Sequence, residues 1–198
     1  MDAQALGAGF ADPVFDAQAV FHAAMWALAR PGRVEAVEAG LTPPAPLGPE
    51  MAAVVLALCD YETPIWLDAA LAAAPEVVNY LRFHTGAAIV ADPAAARFAL
   101  IADAADMPDF AVFPEGSPEF PDTSATLVVQ VAGFASEGFT LEGPGIKGRT
   151  GFSAAPLPAD FAARMAENRR GFPLGVDLIL AGPGGVLGLP RSVAVREG

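Results

Sequence analysis

The stretch that indicates the fold most clearly is Val176-Asp-Leu-Ile-Leu-Ala-Gly-Pro-Gly-Gly-Val-Leu-Gly-Leu189. Its two apolar runs, 176–181 and 186–189, are joined by a tight glycine turn, and this pattern predicts a β-hairpin. Asp177 lies between apolar neighbours in the first run. A buried carboxylate needs a partner, and Arg191, just after the hairpin, is the obvious one. We therefore predict that Asp177 and Arg191 pair as a structural lock or as an interface latch, rather than as an acid/base dyad.

Upstream of the hairpin, helix and strand signals alternate. Helices are predicted from their start signals and stop signals, and strands from short apolar runs. The first helix should start at Asp12-Pro13 and stop at Pro31-Gly32, with an apolar stripe formed by Val14, Ala17, Phe21, Ala24, Met25 and Leu28. Further helices are predicted at 49–59, 75–83 and 158–168, and strands at 63–67, 87–91, 98–102, 126–132 and 138–142.

These elements predict an α/β protein built on a mixed β-sheet with helices on both faces. Strand 138–142 is expected to be the antiparallel partner of strand 126–132. Residues 107–123, rich in proline and acidic residues, are expected to form an exposed loop with a turn of helix at most. At 198 residues the chain is most simply a single domain, 1–198.

Composition and charge exclude several classes of protein. The net charge of −12 argues against binding to nucleic acid or to an anionic membrane. The charge is uneven: residues 1–143 hold 4 Lys+Arg against 19 Asp+Glu, whereas residues 144–198 hold 7 against 4. No apolar run is long enough to span a membrane, and the N-terminus lacks the features of a secretory signal. We expect a cytoplasmic protein.

The hydrophobic content is 54% and the charged content 17%. Such a composition indicates that a partner covers some apolar surface. The alternative is that the hydrophobic content is high only because the chain is rich in alanine, which adds little apolar area per residue. The sole cysteine, Cys59, lies in an apolar run beside Asp60, so we expect it in the core rather than acting as a thiolate nucleophile.

Arg82 and His84 lie at the C-terminal end of the predicted helix 75–83, and three roles are open to them. They could hydrogen-bond Asp60 or Glu62 and hold two loops together, bind a substrate, or act in acid/base catalysis, a role that histidine can fill near neutral pH. Arg82 also complements the negative end of the helix dipole. No metal site is expected, because the two histidines are 62 residues apart and no helix carries paired ligands.

The only lysine, Lys147, lies in the glycine-rich loop 143–149 together with Arg149. Pyridoxal phosphate (PLP) needs a lysine for its Schiff base, but a lysine between glycines in a loop is more often solvated. We therefore expect no PLP and no other cofactor. The loop could cradle a phosphate through backbone donors, although it lacks the Gly-Lys-Ser/Thr ending of a P-loop.

Three stretches are dense in residue types that the rest of this alanine-rich chain lacks. They are Asp60-Tyr-Glu-Thr-Pro-Ile-Trp-Leu67, Leu81-Arg-Phe-His-Thr-Gly86, and Phe172-Pro-Leu-Gly-Val-Asp-Leu-Ile-Leu180 followed by Leu189-Pro-Arg191. In this order and at these distances they resemble the PhnH family, a subunit of the bacterial carbon–phosphorus lyase system. The likeness covers nearly the whole chain.

The resemblance implies a fold similar to the large domain of PLP-dependent transferases, without the cofactor site. It also implies a structural or co-catalytic subunit that works with the G, I, J and K subunits, and a homodimer when isolated. That assembly couples a phosphonate to the ribose of ATP before the carbon–phosphorus bond is cut. The alternative is a stand-alone small-molecule enzyme or phosphate-ester binding protein that uses Arg82, His84, Asp60 and Arg191.

Overall fold

The computed structural model describes residues 7–38 and 40–198, and these residues form five α-helices and ten β-strands. No helix in this part of the chain is both long enough and apolar enough to cross a membrane. The helices are α1 (Phe15–Ala29), α2 (Pro49–Leu58), α3 (Ala69–Ala72), α4 (Pro75–Thr85) and α5 (Phe161–Arg170). The strands are β1 (Val34–Glu35), β2 (Ile65–Leu67), β3 (Ile89–Val90), β4 (Phe98–Ile101), β5 (Thr126–Gln130), β6 (Gly133–Glu142), β7 (Thr150–Ala155), β8 (Asp177–Gly182), β9 (Gly185–Leu189) and β10 (Ala194–Glu197).

A mixed sheet of seven strands, in the order β1-β9-β8-β5-β4-β2-β3, forms the centre of the protein. Strands β3, β2, β4, β5 and β8 are parallel, and β9 runs antiparallel to both β8 and β1. The predicted hairpin is confirmed as β8–β9, which pairs Leu178 with Leu189 and Gly182 with Gly185. The α/β class and the mixed sheet are therefore as the sequence predicts.

The predicted pairing of 138–142 with 126–132 is wrong. Strand β6 belongs to a separate three-stranded sheet, in the order β10-β6-β7. Both edges of β5 are occupied by parallel strands, β4 on one side and β8 on the other. Adjacency in sequence favoured a hairpin, but a central strand of a parallel sheet has no free edge for its successor.

The two faces of the large sheet are covered differently. Alternate residues of the central strands, such as Leu100 and Val128, pack with α1, α2 and α4 in one core. Their neighbours, such as Leu127 and Leu178, pack with the small sheet and with α5 in a second core. Because both faces are buried, the central strands are apolar throughout, as is typical of parallel sheets.

Helix α1 lies so close to the sheet that its buried side carries small residues. A Cβ at Gly188 on β9 would come within 2.5 Å of the Ala27 carbonyl carbon. Of the predicted apolar stripe of α1, Ala24 is buried, whereas Val14, Phe21 and Met25 are exposed. The buried residues of α1 are Val20, Ala23, Ala24 and Ala27.

The segment 107–123 is only partly the exposed loop that the sequence predicts. It contains two short 3-10 turns, Phe110–Val112 and Pro121–Thr123. Met107 and Phe110 are buried, and the Phe113 ring packs edge-on against Trp66 with 5.4 Å between centroids. The acidic residues of the segment favoured the prediction of an exposed loop. Its apolar residues instead pack into the second core and hold the segment against the protein.

Candidate functional site

The starts of the parallel strands define one edge of the large sheet, which we call the amino edge. Ile65, Phe98, Thr126 and Asp177 are in register there, as the first residues of β2, β4, β5 and β8. The chain segments that enter these strands, and the C-terminal end of α4, which leads into β3, therefore lie along this edge. All five candidate residues predicted from the sequence lie in or next to these segments.

Asp177 and Arg191 form the predicted pair. The Arg191 Nε donates to Asp177 Oδ1 at 3.2 Å and its Nη2 donates to Oδ2 at 2.6 Å. The backbone N–H of Arg191 also donates to Oδ1, at 2.8 Å. Two parallel bonds between a guanidinium and a carboxylate are strong and directional, so this pair fixes the base of the β8–β9 hairpin.

The remaining donors of Arg191 are also occupied. Its Nη1 donates to the carbonyl oxygens of Pro121 at 3.0 Å and Pro173 at 3.3 Å, and its Nη2 donates to the Ser124 hydroxyl. A guanidinium has five N–H groups, and in Arg191 each has a protein acceptor. Arg191 therefore joins the loops that enter β5 and β8, and it has no donor left for a substrate.

Asp60 forms a turn with its own neighbours. Its carboxylate accepts from the Glu62 N–H at 2.9 Å, and its backbone N–H donates to the Thr63 hydroxyl at 2.6 Å. No hydrogen bond or ion pair within the described ranges joins Asp60 or Glu62 to Arg82 or His84. The structure therefore does not form the loop-to-loop network that we considered for these residues.

His84 is packed beneath the start of the described chain. Its Nε2 lies 3.2 Å from the carbonyl oxygen of Gly7, which can only accept, so Nε2 carries the proton. The ring is 4.5 Å from that of Tyr80, whose hydroxyl donates to the Ala8 carbonyl at 3.3 Å. This His84 position stabilises the N-terminal segment, while Arg82 is exposed on the last turn of α4.

Four exposed aromatic residues lie along the same edge, each next to one of these structural contacts. They are between 60% and 74% exposed. Aromatic residues and arginine are enriched in protein interfaces. We call this set, together with two exposed arginines, the amino-edge surface: Tyr61, Phe83, Phe120, Phe172, Arg82 and Arg97.

A shallow pocket of about 390 Å³ opens at the amino edge. The Arg97 Nη1 on its wall donates to the Thr123 carbonyl oxygen. Two carboxylates offset this one cation, so the pocket has no positive charge with which to attract a phosphate. Its lining residues are Glu62, Thr63, Arg97, Phe98, Asp122, Thr123, Ser124 and Thr126.

Sequence reasoning missed Asp68, which lies at the opposite edge of the sheet. The strand order reverses between β2 and β4, and in open α/β sheets ligands bind outside the carboxyl ends of the strands at such a switch point. The buried Asp68 carboxylate accepts there from the N–H groups of Leu71 at 2.9 Å, Ala102 at 2.7 Å and Asp103 at 2.9 Å. A carboxylate of the chain itself occupies this anion cradle. The sequence feature that could have identified Asp68 is its position between a strand and the start of a helix.

The other candidates have ordinary structural environments. Burial raises the pKa of the Cys59 thiol to about 12, so the group is protonated at neutral pH, as expected for the core. Lys147 is exposed, and the Arg149 Nε lies 3.4 Å from Glu142 Oε2. Across residues 7–38 and 40–198, no cluster of three or more His, Cys, Asp and Glu side chains is arranged to hold a metal ion.

Comparison with known proteins gives one family and one close relative. The sequence model described as "Bacterial phosphonate metabolism protein (PhnH)" matches residues 8–196. The chain is 42% identical over 195 residues to the alpha-D-ribose 1-methylphosphonate 5-triphosphate synthase subunit PhnH of Rhizobium meliloti (strain 1021). That alignment covers 98% of this chain and 97% of the relative.

Proposed function

The chain belongs to the PhnH family of bacterial phosphonate metabolism proteins, and we propose that it is a subunit of the phosphonate-processing assembly for which its relative is named. In this role it works beside subunits of the G, I, J and K types and supplies structure rather than a complete active site. A reaction that consumes ATP is consistent with a cytoplasmic location for the assembly.

One observation carries this proposal: Arg191, His84 and Asp60 are engaged within the chain, while the aromatic residues beside them are exposed. Arg191 donates all five N–H groups to protein acceptors. His84 contacts a backbone carbonyl and Asp60 forms its own turn. Groups used in this way position loops. The loops in turn present Tyr61, Phe83, Phe120 and Phe172 to solvent.

We further propose that the amino-edge surface is where a partner subunit docks. Binding energy in protein interfaces is concentrated in a few aromatic and arginine residues held in fixed positions. The Asp60 turn fixes the backbone next to Tyr61, and Arg191 bonds the carbonyl of Pro173 next to Phe172. Preorganisation of this kind lowers the entropy lost on association.

The fold that the family resemblance implies, the PLP-transferase large domain without its cofactor site, is part of the proposal. A seven-stranded, mostly parallel sheet with helices on both faces is compatible with it. Two features of the residues favour a fold without PLP. The only lysine is exposed on a loop, and Asp68 fills the anion cradle at the switch point.

The proposal is tested by purifying the tagged chain from its native host grown on methylphosphonate under phosphate starvation. We expect the other subunits to be recovered in stoichiometric amounts. The isolated chain, incubated with ATP and methylphosphonate, should give no ribosyl product. Turnover by the chain alone, or recovery of the chain alone while the other subunits are expressed, would contradict the proposal.

The alternative, a stand-alone binder of small phosphorylated molecules, would need Arg82, His84, Asp60 and Arg191 to converge on one pocket. They do not, since the contacts of Arg191, His84 and Asp60 are with different parts of the chain. Arg82 is exposed to solvent. A ligand at about 100 times its dissociation constant would stabilise such a binder by about 2.7 kcal/mol. We expect nucleotides and phosphonates to leave the thermal midpoint of the isolated chain unchanged.

A further inference from the structure

Strand β10 forms an edge of the small sheet, and one side of its backbone is unpaired. In the order β10-β6-β7 it pairs with β6 alone among the described strands. The Gly198 N–H donates to the Gly138 carbonyl oxygen at 2.7 Å, and the same register continues back along the strand. Backbone groups in an antiparallel ladder alternate between the two sides of a strand. The N–H and C=O groups of Val195 and Glu197 therefore point away from β6.

Val195 is a buried residue whose outward backbone groups have no partner. It is 4% exposed, and within residues 7–38 and 40–198 no hydrogen bond joins its N–H or its carbonyl oxygen to another group. Buried backbone donors and acceptors in proteins are almost always paired. A free donor and a free acceptor at the edge of a sheet are a template for the addition of another strand.

A pocket of about 290 Å³ lies between β10 and the C-terminal half of α5. None of its lining residues belongs to β6, so it lies on the outer side of β10. The unpaired backbone groups of Val195 therefore face a space that is bordered by three arginines. The lining residues are Ala166, Arg169, Arg170, Ala194, Val195 and Arg196.

The charge of this pocket is opposite to that of the whole chain, whose net charge is −12. Its described lining includes no carboxylate. Arg170 bonds the exposed Glu167, whereas Arg169 uses only its Nε, which donates to the Ser192 carbonyl oxygen at 3.2 Å. Arg196 forms no hydrogen bond or ion pair with any described residue. Two guanidinium groups are therefore available to bind carboxylates, and such charge-assisted bonds are the strong ones.

We propose that β10 binds an extended acidic segment of a different protein, which adds to the small sheet as a fourth strand and places carboxylates against Arg169 and Arg196. Recognition by strand addition takes its affinity from main-chain hydrogen bonds and its specificity from alternate side chains. A phosphate or another small anion would accept from the Val195 N–H but would not donate to its carbonyl oxygen. A peptide backbone does both, and this difference decides the class of ligand.

The arginines determine which segments can pair with this edge. Charges of one sign beside an edge strand repel a basic segment and attract an acidic one, so they suppress wrong partners as well as favouring the right one. None of the lining residues of the pocket belongs to the amino-edge surface. The inference therefore goes beyond the proposed function and does not depend on it.

The probe is a fluorescein-labelled hexapeptide of alternating glutamate and valine, and its binding to the full chain is followed by fluorescence anisotropy at low salt. We expect saturable binding with a dissociation constant below about 1 mM. Arg169→Gln/Arg196→Gln should weaken this binding about tenfold or more, because two charge-assisted contacts are lost. Arg149→Gln, which removes an exposed arginine outside the pocket, is the matched control and should bind like wild type.

The role of the main chain is tested at Glu197, whose N–H also points outward. Glu197→Pro removes this donor from an edge strand, where proline is tolerated, whereas Glu197→Ala keeps it. We expect Glu197→Pro to bind the peptide about threefold or more weakly than Glu197→Ala does. A peptide methylated on its amide nitrogens keeps its charges but loses its main-chain donors, and it should bind about tenfold or more weakly than the parent peptide.

Circular dichroism checks that each variant is folded, and if Glu197→Pro is not, the methylated peptide alone tests the main chain. Absence of binding to the wild-type chain overturns the proposal. Equal binding of the methylated and parent peptides also overturns it, because the pocket would then be a general anion site. Equal affinity in the Arg169→Gln/Arg196→Gln and Arg149→Gln variants would place the peptide elsewhere. None of these outcomes depends on the recovery of other subunits.

Discussion

The guanidinium of Arg191 and the carboxylate of Asp177 form a bidentate ion pair across the base of the β8–β9 hairpin. Their side chains are 11% and 24% exposed, so water screens the pair only partly. The same guanidinium bonds Pro121 and Ser124 in the loop that enters β5 and Pro173 in the loop that enters β8, which ties these two loops to one point. This point positions the exposed aromatic residues on either side of it.

Removing the guanidinium should destabilise the protein strongly. Breaking a fully buried pair costs about 3–5 kcal/mol, and for this partly exposed one we expect Arg191→Met to lower the free energy of unfolding in urea by about 2–3 kcal/mol. Arg149→Met, which breaks the exposed pair with Glu142, is the control and should cost less than about 1 kcal/mol. Equal losses in the two variants would contradict the role given to Arg191.

Asp68 should matter for stability through its three backbone donors. Asp68→Ala leaves the N–H groups of Leu71, Ala102 and Asp103 without their acceptor, and we expect a loss of about 3 kcal/mol in the free energy of unfolding. Asp68→Asn keeps one acceptor oxygen and should lose less. Asp92→Ala, which removes a carboxylate that accepts from one exposed N–H, is the control and should lose about 1 kcal/mol or less. Near-neutral behaviour of Asp68→Ala would show that the cradle is not a structural element.

The close approach of α1 to the sheet can be tested at Gly188. The added methyl group of Gly188→Ala would meet the backbone of Ala27 and Leu28 at 2.5 Å, and backbone cannot rotate away. We expect a loss of about 1–3 kcal/mol from overpacking, measured by thermal or urea unfolding. Gly133→Ala is the control, because no atom beyond the glycine and its two chain neighbours lies within 4 Å of the added carbon. Tolerance of both changes would contradict the packing described for α1.

Cys59 gives a pH-dependent prediction. Burial raises its thiol pKa from 9.0 to about 12, so above pH 9 the unfolded chain loses this proton while the folded chain keeps it. The free energy of unfolding should therefore fall with rising pH, by up to about 1.4 kcal/mol per pH unit between pH 9 and 12. Cys59→Ala should lack this contribution. The native thiol should also resist iodoacetamide at pH 8 until urea unfolds the protein, and rapid native labelling would contradict its burial.

The sequence predicts local elements well where chemistry and periodicity agree. The β8–β9 hairpin follows from two apolar runs and a glycine turn, and the Asp177–Arg191 pair follows from the need of a buried carboxylate for a partner. The helix predicted at 75–83 is α4, which continues to Thr85 and ends at Gly86, a residue with the left-handed backbone that favours glycine. These inferences need only neighbours along the chain.

Relationships between distant segments are not predictable in this way. Which side of α1 is exposed depends on Gly188, which lies more than 150 residues away in sequence. Because Gly188 has no side chain, the backbone of α1 can pack directly against the sheet there. The partner of β6 depends on both edges of β5 being already paired. From the sequence, Asp68 is predictable only as the N-terminal cap of a helix. The two further N–H donors to its carboxylate come from the end of β4, which the fold places beside it. The candidate site shares this limit, because only the strand register places its aromatic residues along one edge of the sheet.

The most direct test of the amino-edge surface is a comparison of partner recovery between variants. The tagged double variant Tyr61→Ala/Phe172→Ala is purified from the native host beside wild type and beside the α1 variant Phe15→Ala, all three confirmed to be folded. We predict that the double variant loses at least about 90% of the other phosphonate subunits, whereas Phe15→Ala retains them. Full recovery of those subunits by the double variant would contradict the assignment of this surface.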